Sequence, residues 1–411
     1  MNTLYISYDG ILEPIGRSQV VNYLVRLSPG SRYTIISFEK PEDLGQHEKV
    51  RELESVLHAA GIRWIRKRYH KWPPVLSTCW DALAGIQAGL GVCLSQPVHI
   101  IHARGYVASL IALTLKRVSG AKYLFDMRGF LADEKVDGGH WSRESRVYAV
   151  TKRCERSFFE SADAIVSLTH EGVKAITDLG YRIPAGLPIR VIPTCTDLET
   201  FAPRPKDQML LKRLGLTGHR VIGCVGSMSN WYLRRPMLAY LAFLTTRLKD
   251  AKILVVTGED HDQLRSDAIK AGIPAERLVL TRAEFSAMPS HIGLMDLGMF
   301  FIKVCFSKRG SAATKLAEFL ACGVPVVIND GIGDSGGIVR RGGAGIVLPD
   351  VTEKAFESSF QSVLDILKDG ATAERCRKTA QHYFDLEEGV RAYAALYREL
   401  GDARTMAGGG T

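Results

Sequence analysis

Short β-rich runs alternate with helix-length amphipathic segments along nearly the whole sequence. Parallel strands demand such an alternation, because a parallel pair is joined only by a crossover of about a dozen residues or more, usually a helix. The strand candidates of the first half are Leu4–Ser7, Tyr33–Phe38, Arg63–Arg66, His99–His102, Tyr123–Asp126, Ala164–Leu168 and Arg190–Ile192. Those of the second half are Val221–Val225, Lys252–Thr257, Leu278–Thr281, Gly298–Ile302, Pro325–Ile328 and Gly345–Leu348. The fold class is therefore α/β, with two complete sheets. A length of 411 residues fits two domains, each of roughly 200 residues. The join falls in IPTCTDLETFAPRP, Ile192 to Pro205, where three prolines and several turn formers follow the last strand of the first set. Ligands of open parallel sheets bind beyond the carboxyl ends of the strands, so the residues after each strand are the candidates for function.

Several function classes are excluded early. The longest apolar run, Val107 to Leu115, is stopped by Lys116 and Arg117, short of the roughly 18 residues a membrane span needs. TLYISY, Thr3 to Tyr8, has no basic region before it and reads as a strand rather than a secretory signal, which predicts a cytoplasmic protein. The eight cysteines are dispersed without a CxxC pair, so neither a disulfide framework nor a zinc spacing is present. A formal charge of +9 calls for an anionic partner, with nucleotide phosphates, a lipid diphosphate, a membrane face and nucleic acid all compatible.

The richest strand-end region is ATKLAEFLACGVPVV, Ala313 to Val327, a helix ended by Gly323 and followed after Pro325 by a β-branched strand. The run Arg309-Gly310-Ser311-Ala312 leads into it. Small residues before a helix let backbone amides approach an anion, and the helix dipole favours negative charge there, so a diphosphate fits the turn at Thr314. Lys315 supplies a counter-charge, and Glu318, one turn on, is placed to accept hydrogen bonds from ribose hydroxyls. Spacing alone is equally compatible with a Lys and a Glu that face solvent. At the turn after Val225, the amides and hydroxyl of Ser227 are candidates for the distal phosphate, with Arg234 and Arg235 as cations and Trp231 as a core anchor. Asp260-His261-Asp262 imitates a metal-binding DxD, but it opens a helix, where an acid caps the backbone. No metal or other cofactor is expected. The loop after the first strand, Tyr8 to Val20, has no GxGxxG, which argues against a dehydrogenase.

TKLAEFLACGVPVV resembles the donor-binding segment of glycosyltransferase family 4 and its GT-B relatives. Three further stretches are similar to family motifs in the expected order: VGSMSNWY at 225–232, GIGDSGGIV at 331–339, and the closing helix YFDLEEGVRAYAALYREL at 383–400. The resemblance implies a GT-B architecture of two facing Rossmann-like domains with a cleft between them. It divides the chain into an acceptor-side domain, 1–196, and a nucleotide-sugar-binding domain, 197–383; helix 384–402 packs back on the first domain, and 403–411 form a flexible tail. Family 4 proteins carry a glutamate eight residues before the one matched by Glu318, where this sequence has Gly310, which bears on the sugar contacts and on retaining stereochemistry.

On the first domain, YDGILEPIGRSQV, Tyr8 to Val20, is similar to the family loop that faces the donor sugar and brings Gly16 into the site. His102 matches a histidine that faces the transferred sugar, and DMRGFLADE, Asp126 to Glu134, places Asp126, Arg128, Asp133 and Glu134 at the cleft mouth. An unpaired carboxylate there would orient or deprotonate the acceptor hydroxyl, whereas a carboxylate paired with Arg128 would be structural. The donor-site set is Gly16, Ser227, Arg234, Arg309, Thr314, Lys315 and Glu318; the catalytic set is His102, Asp126, Arg128 and Glu134.

The implied activity is retaining transfer of a sugar from a nucleotide diphosphate to an acceptor hydroxyl, in bacterial surface-polysaccharide or glycolipid assembly. A nucleotide-sugar epimerase of the same fold and a non-catalytic nucleotide-sugar-binding protein are the alternatives. The implied partners are a nucleotide sugar and a glycan or lipid-linked acceptor. IRWIRKRYHKW, Ile62 to Trp72, adds five basic residues and three aromatics without an acid, a composition for an anionic membrane surface and thus peripheral attachment at the inner face of the cell membrane. Nucleic acid is not expected, because no motif for it accompanies the charge.

Overall fold

The computed structural model describes residues 1–408, with side chains through Asp402. They fall into two compact units, one formed by Met1–Pro193 together with the C-terminal residues from Glu387, the other by Thr194–Leu386. The first unit is built on strands β1 (Asn2–Ser7), β2 (Arg32–Glu39), β3 (Arg63–Arg68), β4 (Ile100–Arg104), β5 (Lys122–Asp126), β6 (Ala164–Ser167) and β7 (Ile189–Val191). All pair in parallel in the order β3-β2-β1-β4-β5-β6-β7. The second holds β8 (Arg220–Val225), β9 (Ala251–Val256), β10 (Leu278–Thr281), β11 (Leu297–Phe300), β12 (Val326–Asn329) and β13 (Gly345–Leu348), parallel in the order β10-β9-β8-β11-β12-β13. In each sheet the direction of winding reverses once, between β1 and β4 and between β8 and β11, and such a reversal opens a crevice at the strand ends.

Every strand expected from the sequence is present, with ends shifted by no more than about two residues. One shift matters. β4 runs on to Arg104, so His102 lies inside the strand rather than at its end. The helices referred to below are α1 (Pro74–Ser95), α2 (Gly105–Ser119), α3 (Arg234–Arg247), α4 (Thr314–Ala321) and α5 (Leu386–Gly408). α5 continues through residues 403–408, which the sequence reading gave to a loose tail; the rest of that tail, 409–411, lies outside the described residues.

α1 corrects the reading of apolar runs. It has 22 residues with Asp81 as its one charge, and by length and composition it is apolar enough to cross a membrane. Serines, threonine and glycines scattered through it hide this from a search for an unbroken apolar run. It is nonetheless a covering helix of the first sheet. A Cβ built on Gly85 would lie 2.4 Å from a methyl of Ile111, and one on Gly89 2.3 Å from a methyl of Leu115, so the two glycines let α1 settle directly on α2.

In the second unit the same economy fixes β11 against α4. Phe319 is fully buried with its ring over Gly298, and an added Cβ there would sit 2.6 Å from two ring carbons. Neither the strand nor the ring has room to yield. Gly298→Ala should therefore destabilise the second unit by about 1–3 kcal/mol, seen as a lower denaturant midpoint followed by far-ultraviolet circular dichroism; an unchanged midpoint would mean that Phe319 has a second position available.

Candidate functional site

The carboxyl ends of β8, β9, β11 and β12 converge on one polar corner of the second unit. β8 ends at Val225, and Gly226 turns the chain with a left-handed φ of 76°. Only glycine takes that conformation without strain, and a Cβ there would also approach Lys315 Nζ to 3.5 Å. The following turn is organised by Glu259, just beyond β9. One oxygen of its carboxylate accepts hydrogen bonds from the hydroxyls of Ser227 and Ser229, each at 2.6 Å, and from the amide of Met228 at 3.1 Å. The other oxygen takes the Arg234 guanidinium at 2.5 Å. Burial works to raise the Glu259 pKa, but these donors outweigh it and hold the carboxyl below its usual range.

Lys315 is the unusual member of this corner. It lies in the first turn of α4, is buried, and has its ammonium 3.6 Å from the centre of the Tyr232 ring and 3.4 Å from the carbonyl oxygen of Ser227. No carboxylate lies within ion-pair distance among the described residues. Burial therefore lowers its pKa to about 8, against a partial pull upward from Glu318 and Glu259. Glu318, one turn on, is pushed by burial up to about 7, with Lys315 opposing. Neither charge is neutralised from within. α4 itself begins after Ala313 without a side-chain cap, so its first amides are not satisfied by a neighbouring side chain.

The remaining donor-side residues divide. Thr314 opens α4, as the spacing requires. Arg309 packs its guanidinium near the Phe306 ring in the short helical turn 306–310. Arg234 is committed to Glu259 and, at 3.2 Å, to Asp267, and the Ser227 hydroxyl is committed to Glu259; both shape the turn instead of standing ready as bare phosphate ligands. Trp231 carries the ammonium of buried Lys308 over its ring at 3.7 Å. Asp260 caps its helix, accepting from the amides of Asp262 and Gln263 at 2.9 and 3.1 Å. Glu259, Lys308 and Asn329, whose side chain ties β12 to Ile302 through both its oxygen and its nitrogen, are additions that the motifs did not single out. A strand-end position was the available signal for Glu259 and Asn329.

The first unit presents a second polar group, and here the expectations need correction. His102 is buried in an aromatic box, its ring tilted 46° against that of Tyr5, with Nδ1 2.7 Å from the Tyr397 hydroxyl and Nε2 3.5 Å from Asp126. Burial lowers its pKa despite Asp126, so it is a neutral interior histidine and does not stand at an open strand end. The cause is the extra length of β4. Asp126 ends β5 fully buried, accepts the Tyr393 hydroxyl at 3.1 Å, and has the guanidinium groups of Arg104 and Arg128 each at 3.7 Å. Burial favours its neutral form, yet Arg128, His102 and Arg104 together hold its pKa at about 2. A carboxylate held that low is a poor general base at neutral pH. Arg128 sits at a left-handed φ of 55°, a position strained for any residue but glycine. Asp133 is taken up by Tyr148 and Lys152, whereas Glu134 stays partly accessible on the following helix.

Gly16 is a packing glycine. A Cβ on it would lie 2.2 Å from the carbonyl oxygen of Gly10, so it lets the loop after β1 fold onto its own helix. That loop is pinned by buried Glu39, which accepts the amides of Ile11 and Leu12 at 3.0 and 3.2 Å. Glu39 and Arg104, both at the ends of their strands, were not anticipated.

The similarities of the chain agree with this arrangement. Residues 24–195 match the family model described as glycosyl transferase 4-like domain. No curated protein matches by sequence. Among solved structures, a sucrose-phosphate synthase from Thermosynechococcus elongatus is similar with a TM-score of 0.76 at 14% identity, covering 98% of this chain and 100% of that one. HepE of Anabaena, solved in complex with UDP, has a TM-score of 0.69 at 14% identity over 97% of this chain and 100% of its own. A putative UDP-N-acetylglucosamine 2-epimerase from Listeria monocytogenes has a TM-score of 0.63 at 12% identity over 98% and 97%. Residues 24–195 are thus similar to the glycosyl transferase 4-like domain, and the two parallel-sheet units have the fold of the GT-B glycosyltransferases.

Proposed function

We propose that the chain transfers a sugar from a nucleoside diphosphate donor to an acceptor hydroxyl, with the diphosphate held at the second-unit corner formed by Gly226, the first turn of α4 and Lys315. The observation that carries this reading is the buried, uncompensated ammonium of Lys315 beside uncapped helix amides. When the bond from the anomeric carbon to the β-phosphate oxygen breaks, the departing diphosphate gains negative charge, and a fixed cation with aligned amides stabilises that change more than it stabilises the ground state. Glu318 is proposed to accept the ribose hydroxyls. The acceptor oxygen forms the new bond to the anomeric carbon, and its proton leaves with the diphosphate or to solvent. Retention at that carbon and an acceptor from surface-polysaccharide or glycolipid assembly are part of the proposal. Because cations and helix amides meet the phosphate charge, no metal enters it. The fold likeness to an epimerase supports one rival reading, in which the donor is altered without an acceptor.

Incubation with a panel of nucleotide sugars, with and without chelator, tests the assignment. Slow release of nucleoside diphosphate from one donor, accelerated by an added glycan or lipid-linked alcohol and insensitive to chelator, is expected. Interconversion of the donor with no release would favour the epimerase, and the anomer of an isolated product reads the stereochemistry.

Lys315 gives a test with a pH signature. Its folded pKa of about 8 lies below the ordinary 10.5, so protonated Lys315 costs stability below pH 8, and this cost is relieved as the pH rises from 8 toward 10.5. A bound diphosphate pulls the pKa back up. Nucleoside diphosphate binding should therefore take up a proton at pH 8–9, measured by calorimetry in buffers of different ionisation enthalpy, and should weaken as pH rises further. Lys315→Met should remove the proton uptake, weaken binding about tenfold or more and leave the free protein no less stable. Proton-neutral binding in the native protein would sink the role.

Glu318→Gln should keep the fold and weaken the donor nucleotide by about 1.5–3 kcal/mol through loss of a charge-assisted hydrogen bond. Equal affinities of wild type and variant for the nucleotide and its 2′,3′-dideoxy analogue would show that the carboxylate does not reach the ribose.

A further inference from the structure

α1 turns the wrong face to water. The side it buries is made of Ser77, Asp81, Ala82, Gly85, Gly89 and Val92, which are small or polar apart from the last. The side it exposes is large and apolar: Leu76 at 69%, Trp80 at 63% and Leu83 at 63% relative exposure, with Trp72 just before the helix at 76%. Residues 76, 80 and 83 follow the i, i+4, i+7 spacing and form one stripe. The single charge of the helix, Asp81, is no part of it, being buried and bonded to His70 Nδ1 at 2.6 Å and to the Tyr8 hydroxyl at 3.0 Å. The unit does not need the stripe for its own core, because the glycine face already seats α1 on α2. A contiguous apolar stripe of this kind marks a surface with a partner.

What borders the stripe says which partner. β3 is the edge strand of the sheet, and it leads through Lys71 directly into Trp72 and α1. Arg63, Arg68 and Lys71 are exposed there, and no acid occurs between Arg63 and Trp80. Arg66 is occupied, with Glu54 at 2.8 Å and the Trp64 ring beneath it, so the free positive charge nearest to Trp72 and α1 belongs to Arg68 and Lys71. Cations flanking tryptophans and leucines complement anionic headgroups above an acyl layer.

We propose that Trp72 and the Leu76–Trp80–Leu83 stripe insert at the headgroup–acyl boundary of an anionic bilayer, with Arg68 and Lys71 among the lipid phosphates. The helix lies in the surface and does not span it, because its other face and Asp81 are held by the first unit. This attachment is independent of the nucleotide corner.

Flotation with vesicles of phosphatidylglycerol and phosphatidylcholine, and of phosphatidylcholine alone, at low and high salt, tests it on the full chain. Wild type should float with the anionic vesicles, and high salt should weaken but not abolish this. Trp80→Ser with Leu83→Ser, both at exposed positions and checked for an unchanged melting curve, should lower the partition about tenfold or more at either salt. Arg68→Ser with Lys71→Ser should lower it chiefly at low salt. Tryptophan emission should shift to the blue on binding, and brominated lipid should quench it. The proposal is overturned if wild type ignores anionic vesicles, if the apolar double variant floats as wild type does, or if sedimentation shows a dimer that this variant dissociates.

Discussion

A sheet whose strands all run one way collects every strand end on a single edge, and the chemistry of both units follows from that constraint. In the second unit it gathers the turn after β8, the acid after β9 and the asparagine closing β12 near the start of α4. Reversal of winding between β8 and β11 keeps a crossover from filling the space above them. Helix α4 then delivers its first turn, and with it Lys315, to a place where Tyr232 and the carbonyl of Ser227 surround the ammonium. The lysine is thereby removed from water before any ligand arrives, which leaves its charge poorly solvated and receptive to an anion.

The two units handle buried charge in opposite ways. Lys315 and Glu318 are under-compensated, each shifted by burial toward its neutral form. Asp126 is over-compensated, surrounded by two guanidinium groups, a histidine and a tyrosine hydroxyl, and stays ionised. A group whose charge is unpaid responds to ligands and to pH; Asp126 stays charged, although its Oδ1 and the Nε and Nη1 of Arg104 are buried without a hydrogen-bond partner. The contrast divides the site candidates by charge: the pair on α4 is shifted toward its neutral forms, and the His102–Asp126 group keeps an ionised carboxylate.

The fold was legible because strand and crossover lengths alternate so regularly that a few residues of error at each end leave the topology intact. Thr314, Lys315 and Glu318 were legible for the same reason, since one helical turn after a run of small residues fixes their relation to the backbone amides. His102 was misplaced by two residues of strand length, a difference no local propensity encodes. Ser227 and Arg234 were named at the right turn without their partner, Glu259, which follows another strand and is brought in only by tertiary pairing. The outward stripe of α1 escaped notice because hydrophobic residues are ordinarily read as facing inward, and only the glycine contacts with α2 reveal which face is which.

The aromatic box around His102 has a consequence for synthesis of the chain. Its walls include Tyr393 and Tyr397 from α5, and 295 residues separate His102 from Tyr397. A ribosome adding roughly 5–20 residues each second leaves the histidine waiting about 15–60 s for that wall. The second unit, continuous from Thr194 to Leu386, is made entirely within the interval. The unit that begins first is therefore finished last, and during the wait its buried charges at Asp126 and Arg104 lie open on one side. A nascent chain of this kind depends on α5 to close a core laid down at the start, so the His102 box is completed only after the whole second unit has been made.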